Sequence, residues 1–255
     1  MNSIKNWNGD DVEIAESRGR VRALINPFEN MIGTKITPWP PVEIVQKIYQ
    51  SGHLRDFNEE EQKRLCETLG YYTDLQSLHS EDAIVWSVFG TICRFSCEIQ
   101  KKWISGFLKI MKLDKYDLDK PEIFLWRRFN HPETLGARGP EIDFGINAGK
   151  IVILGEAKWK SRIIRGQGKK RNLNQLQIRE KWLDEIGSKV FPEAEKIIVV
   201  VGLEELENYY FENIGTYSQN CHFVSWEALC DLSSHPLFKE IQKYLKWKKD
   251  NSKLE

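Results

Sequence analysis

Between residues 139 and 159 the chain reads GPEIDFGINAGKIVILGEAKW, and three acids and a lysine stand in it at spacings that suit metal-assisted phosphoester chemistry. Glu141 and Asp143 lie two apart, as do Glu156 and Lys158. Side chains of an extended chain alternate between two faces, so each pair shares a face. Carboxylates about 4 Å apart, at an effective dielectric near 20, repel by about 4 kcal/mol. One lysine does not offset three such acids. A hard divalent ion such as Mg2+ does, because it takes oxygen ligands, keeps several waters and accepts a phosphate oxygen.

Positioning these groups takes two strands and a turn. Ile142, Phe144 and Ile146 alternate with other residues, Ile151 to Leu154 form an apolar run, and Asn147-Ala148-Gly149 supplies turn chemistry between them. The simplest register pairs Ile146 with Ile151, placing Asp143 opposite Leu154 and Glu141 opposite Glu156. All four ionisable groups then fall on one face. The run Ile-Val-Ile-Leu ahead of Glu156 predicts a strand buried on both faces with an acid emerging at its end. A second Glu-x-Lys, Glu61-Gln62-Lys63, sits in a polar, helix-favouring stretch with no acidic strand before it and fails the context test.

The sequence Glu-Ile-Asp, a short hairpin, then Glu-Ala-Lys-Trp at 156–159 resembles the core of the PD-(D/E)XK nuclease superfamily, which includes restriction endonucleases, resolvases and repair nucleases. The likeness spans roughly residues 80 to 202. It implies that Asp143 and Glu156 hold a metal and that Lys158 assists the attacking water. Ile142 precedes the Asp where the family has Pro, and Glu141 adds a second acid, so Glu141 joins the candidate ligands. The family's first core helix often contributes an acid, and Ser80-Glu81-Asp82 resembles that helix start, making Glu81 a candidate fourth ligand. The helix dipole alone stabilises such an acid by roughly 0.3–1 kcal/mol and explains it equally well. Some subfamilies place a Gln on the next helix, starting a Gln-x-x-x-Tyr pattern. Gln175 fits that place, with Arg179 standing where the Tyr would be; one turn apart on the helix flank, the two either point toward the strand carrying Lys158 or form a surface pair.

Lys plus Arg equals Asp plus Glu at 37 each, so no global basic bias marks a nucleic-acid binder. The distribution is uneven, however. From Lys158 to Arg171 the chain carries Lys160, Arg162, Arg165, Lys169, Lys170 and Arg171 and no acid, which predicts a phosphate-gripping loop after the catalytic strand. Hydrophobic content of 41% and nine Trp predict a packed globule. No apolar run approaches the roughly 18 residues of a membrane helix, and MNSIKNWNGDD lacks a signal peptide's apolar core, so a cytoplasmic protein is expected. The five cysteines show no CxxC pair and read as reduced thiols, and His131 reads as a loop histidine.

Val12 to Leu24 predicts a helix, Pro41 opens another through Ile48, and Asn58 to Leu69 a polar one. Ser80 caps a long helix whose apolar residues Ile84, Val88, Ile92, Phe95 and Ile99 recur at helical spacing. Ile123 to Arg128, Lys196 to Gly202 and His222 to Ser225 read as strands, and Leu237 to Lys248 as a terminal amphipathic helix. The expected architecture is therefore α/β: a restriction-endonuclease-like mixed-sheet core (αβββαβ) flanked by helices over 80–255, with an α-helical extension over 1–79. The expected activity is that of a Mg2+-dependent deoxyribonuclease, with Mn2+ as a substitute ion, acting on DNA in restriction, phage defence or repair. A homodimer would suit double-strand cutting. The rivals are a non-catalytic nucleic-acid-binding protein on the same fold and a metal-dependent hydrolase of RNA or nucleotides.

Overall fold

The structure is a computed structural model that describes residues 2–17, 21–49, 57–128, 141–161, 163, 173–214 and 220–252. It begins with strands β1 (Asn2–Lys5), β2 (Asp11–Glu16) and β3 (Arg22–Leu24), paired antiparallel in that order. The helix expected over Val12–Leu24 is thus two strands. In β2, Val12 and Ile14 are buried while Asp11 and Glu13 face out, a period-two pattern that a strand on a core satisfies and a helix does not. The extension is α and β together.

Helix α1 (Val42–Ile48) starts after Pro41, and α2 (Glu59–Leu65) starts where Asn58 accepts the Glu61 N–H at 2.9 Å. Glu61-Gln62-Lys63 lies inside α2. Helix α3 (Glu81–Val85) is capped by Ser80, which accepts the Ala83 N–H, and runs into a π turn at Trp86–Gly90. The periodicity suggested one helix through Ile99; instead it stops near Ile92 and α4 (Cys97–Ile110) starts afresh. Hydroxyls mark the interruption. Ser87 Oγ donates to the Ala83 carbonyl and Thr91 Oγ1 to the Ser87 carbonyl, both at 2.8 Å, a back-bonding that bends helices.

Strands β4 (Leu118–Arg128), β5 (Glu141–Gly149) and β6 (Ile151–Ala157) follow. Helix α5 (Gln175–Trp182) then passes through a π turn at Leu183–Gly187 into the short α6 (Ser188–Val190). After it come β7 (Glu195–Gly202), α7 (Glu207–Ile214), β8 (Cys221–Ser225), α8 (Trp226–Cys230) and α9 (Phe238–Asn251). The five strands form one mixed sheet in the order β4-β5-β6-β7-β8, antiparallel from β4 to β6 and parallel from β6 to β8. Helix, three strands, helix, strand is the predicted order, with α4 rather than the Ser80 helix leading it.

The chain divides into two units, Met1–Arg94 with Leu237–Glu255, and Phe95–Pro236. The boundary expected at 79/80 therefore moves to 94/95, and the last helix belongs with the N-terminal unit. In that unit Lys248 Nζ donates to the Leu78 carbonyl at 2.8 Å and Tyr244 Oη to the Asn30 carbonyl at 2.9 Å. In the second unit every residue of β6 is buried, as a strand flanked on both sides and covered on both faces requires. Leu154, Leu176, Trp182, Leu183 and Val200 pack into one cluster, which seats α5 against the sheet. Among the described residues no helix is long and apolar enough to cross a membrane.

Candidate active site

The hairpin of β5 and β6 is shifted from the simplest pairing by two residues. Ile146 faces Ile153 rather than Ile151, and Phe144 faces Gly155. The tip accounts for it. Gly149, at φ +76, takes a left-handed conformation that suits glycine, its N–H is held by Asn147 Oδ1 at 3.2 Å, and the turn closes on Gly149-Lys150. An even shift leaves side-chain faces unchanged, whereas a shift of one would have sent the acids to opposite sides. Extending the register one place sets Asp143 across from Glu156 instead of Leu154, and two further along sets Glu141 across from Lys158. Asp143 Oδ2 accepts the Ala157 N–H at 2.8 Å, fixing the carboxylate against the end of β6.

Two glycines let this part of the sheet close up. A Cβ on Gly155 would lie 2.1 Å from the Phe144 ring, and one on Gly145 would lie 2.1 Å from the Phe124 ring. Each aromatic lies over a neighbour that has no side chain.

Glu156, near the end of β6, and Lys158, just past it, lie in a fully covered place, with exposures of 1% and 3%. Lys158 Nζ stands 2.6 Å from Glu156 Oε1. Its backbone is fastened on both sides. The Lys158 N–H donates to the Val201 carbonyl at 2.8 Å, prolonging the β6–β7 ladder, and its carbonyl accepts the Trp226 indole N–H at 2.9 Å. Lys158 is thus carried by rigid backbone rather than by a loop.

Arg179, which the sequence left between a surface pair and a place facing the strand of Lys158, is brought to the centre by the structure. It is 2% exposed and its guanidinium contacts Glu156 Oε2. Nη2 also donates to the Glu141 carbonyl at 2.9 Å, and Nη1 to the Gln175 carbonyl at 3.1 Å. The signal for it was there: Leu176, Ile178 and Trp182 are buried on α5, and position 179 shares their face at helical spacing. Gln175 is the first residue of α5 and is half-buried. Glu141 pairs its carboxylate with Arg128 Nη2 at 2.9 Å, a contact the sequence did not suggest.

The charge count is therefore different from the one drawn from sequence. Among the described residues Glu141, Asp143 and Glu156 meet Arg128, Lys158 and Arg179, three acids with three bases, so the charges described there do not by themselves compel a metal. Among the described residues no group of three or more His, Cys, Asp or Glu lies close enough to hold one. Glu81 opens α3 in the other unit, where its charge acts on Lys248. What stays together on one face of β5 and β6 is the pair Asp143 and Glu156. Two carboxylates fit Mg2+, which is commonly held by one or two of them together with waters and substrate phosphates.

Of the basic run, Lys160 lies within the described residues just past β6; Arg162, Arg165, Lys169, Lys170 and Arg171 lie outside them, as does His131. No family model matches the chain, and neither a curated protein nor a solved structure matches it. The resemblance to PD-(D/E)XK nucleases accordingly rests on the hairpin residues and the element order.

Proposed function

We propose that the second unit is a restriction-endonuclease-like domain and that the protein is a Mg2+-dependent deoxyribonuclease, with Mn2+ able to replace Mg2+. The observation that carries this reading is the placement of Asp143, Glu156 and Lys158 on one face at the end of a central buried strand, in the element order helix, three strands, helix, strand. Asp143 and Glu156 would hold the ion, with Glu141 as a further candidate from the sequence. Bound there, Mg2+ supplies Lewis acidity toward the scissile phosphate and eases deprotonation of a water.

The chain's own residues do the rest. The Ala157 N–H holds Asp143 in place, so one ligand is oriented before any substrate arrives. Lys158, fixed through Val201 and Trp226, places its ammonium where it can orient the attacking water, take its proton when neutral, and offset charge growing on the phosphorane. Gln175, at the start of α5, is the candidate to assist that water from the helix side. Lys160 and the basic residues after it would grip the DNA backbone, which makes binding steeply salt-dependent, with a log-log slope of about −0.9 per neutralised phosphate.

Cleavage of plasmid and linear DNA in Mg2+ tests the reading, comparing wild type with Glu156→Gln and Lys158→Met. Loss of cutting in both variants is expected; equal activity in all three preparations identifies a contaminant and ends the proposal. The balanced charges favour one rival specifically, a non-catalytic nucleic-acid binder whose Glu156 serves as a structural counter-ion. That protein would bind DNA and cut nothing in either ion.

A further inference from the structure

Glu156 is a single carboxylate with two cations already on it, Lys158 at Oε1 and Arg179 at Oε2. All three side chains are buried, with exposures of 1–3%. A divalent ion that joins that carboxylate while both stay sets a third positive group on it away from water, with only Asp143 added as a further negative ligand. Release of one of them relieves that excess. Lys158 is the poorer candidate, since its backbone is held on both sides within the sheet. Arg179 reaches in from α5, and its Nε, fully buried, has no hydrogen-bond acceptor among the described residues. Letting go of Glu156 would leave Nη1 on the Gln175 carbonyl and Nη2 on the Glu141 carbonyl.

We propose that Arg179 is a positioning residue standing in for the divalent ion at Glu156: its guanidinium neutralises the carboxylate in the resting site, and exchanges it for an oxygen of the phosphodiester as the ion enters. The idle Nε gives the exchange its chemistry. Nε and Nη2 form one edge of the guanidinium fork, the edge that matches two oxygens of a phosphate, and only Nη2 is occupied at rest. The ligand class is therefore a phosphodiester, and ion and phosphate bind with mutual reinforcement. The inference rests on the nuclease reading above and adds a residue that reading did not need.

Mn2+ titration followed by electron paramagnetic resonance on the full chain without DNA tests it. Arg179→Gln, which keeps length and removes charge, is expected to bind Mn2+ at least about tenfold tighter than wild type, with Arg179→Lys close to wild type. An unchanged or weaker affinity in a Gln variant with native circular dichroism overturns the proposal, because a merely structural ion pair would alter stability and leave ion affinity alone. A second readout uses wild type only. The Arg179 Nε–H resonance should move when Mg2+ and dimethyl phosphate, a diester probe, are added together; a resonance that stays fixed while the ion is bound overturns the exchange. The two readings fail differently. Wild type that neither binds Mn2+ nor cuts DNA removes the nuclease and the exchange with it, whereas wild type that does both beside an unaltered Gln variant removes the exchange alone.

Discussion

Lys158 in the second unit and Lys248 in the first are both buried, and the two are treated in opposite ways. Lys158, in the second unit, stands 2.6 Å from a buried carboxylate, with a buried arginine on that carboxylate's other oxygen. Lys248, in the first, donates to the Leu78 carbonyl, and burial drags it down to about 7 from its ordinary 10.5 despite the charge of Glu81. One site gathers buried charge of both signs at the end of a strand beside the half-buried Asp143. The other uses a buried amino group to fasten a C-terminal helix to the chain ahead of α3. Burial of a charge by itself is thus a poor guide to chemistry, and what separates the two is the surrounding set of groups that can hold a ligand.

The largest expected effect breaks the symmetry between the lysines. Lys158→Met should lower DNA cleavage by about 10²-fold or more, the scale of a lost proton-transfer group, while Lys248→Met leaves cleavage per folded molecule near wild type. Plasmid nicking assays measure both. Next in size is the charge cluster itself: Arg179→Ala leaves Glu156 with one cation fewer in a dry place, at a cost of about 3–5 kcal/mol in chemical denaturation. Gly155→Ala sharpens the contrast without touching a charge. Its new methyl must displace the Phe144 ring, and a loss of about 1–3 kcal/mol is expected.

A further effect is a slope. The folded value for Lys248, about 7, lies below the ordinary 10.5, so between those pH values the unfolded chain binds the proton that the folded chain has given up. Stability should therefore rise with pH from about 7 to 10.5, the penalty being complete below 7 and gone above 10.5. Denaturation of wild type and Lys248→Met at steps across that window should show a slope that the variant flattens. Equal slopes would mean that Lys248 is not held at a lowered value.

How much of this was legible follows from which forces act locally. The hairpin and the shared face of its acids were readable because strand parity depends only on residue spacing, and a two-residue slip in register left it intact. The register was not readable, because it depends on how Gly149 and Asn147 close the tip. The helix break before Cys97 was hidden by apolar residues that keep helical spacing across it, and the sheet at Val12–Leu24 by the shortness of its alternation. Arg179 was missed for a deeper reason. Spacing along α5 puts position 179 on the buried face, but which strand residue it meets is set by the packing of Leu176 and Trp182 in one cluster with Leu154, a tertiary matter. With it went the charge balance, which turned three acids and a lysine into a neutral cluster.

The account depends on Asp143 and Glu156 being able to take a divalent ion between them. The most direct measurement is a crystal soaked in Mn2+ with data collected for anomalous scattering. The account predicts a peak within coordination distance of both carboxylates, at about 2–2.2 Å from their oxygens, with Arg179 drawn off Glu156. A saturated crystal with no peak there, and with Arg179 still seated on the carboxylate, would contradict it.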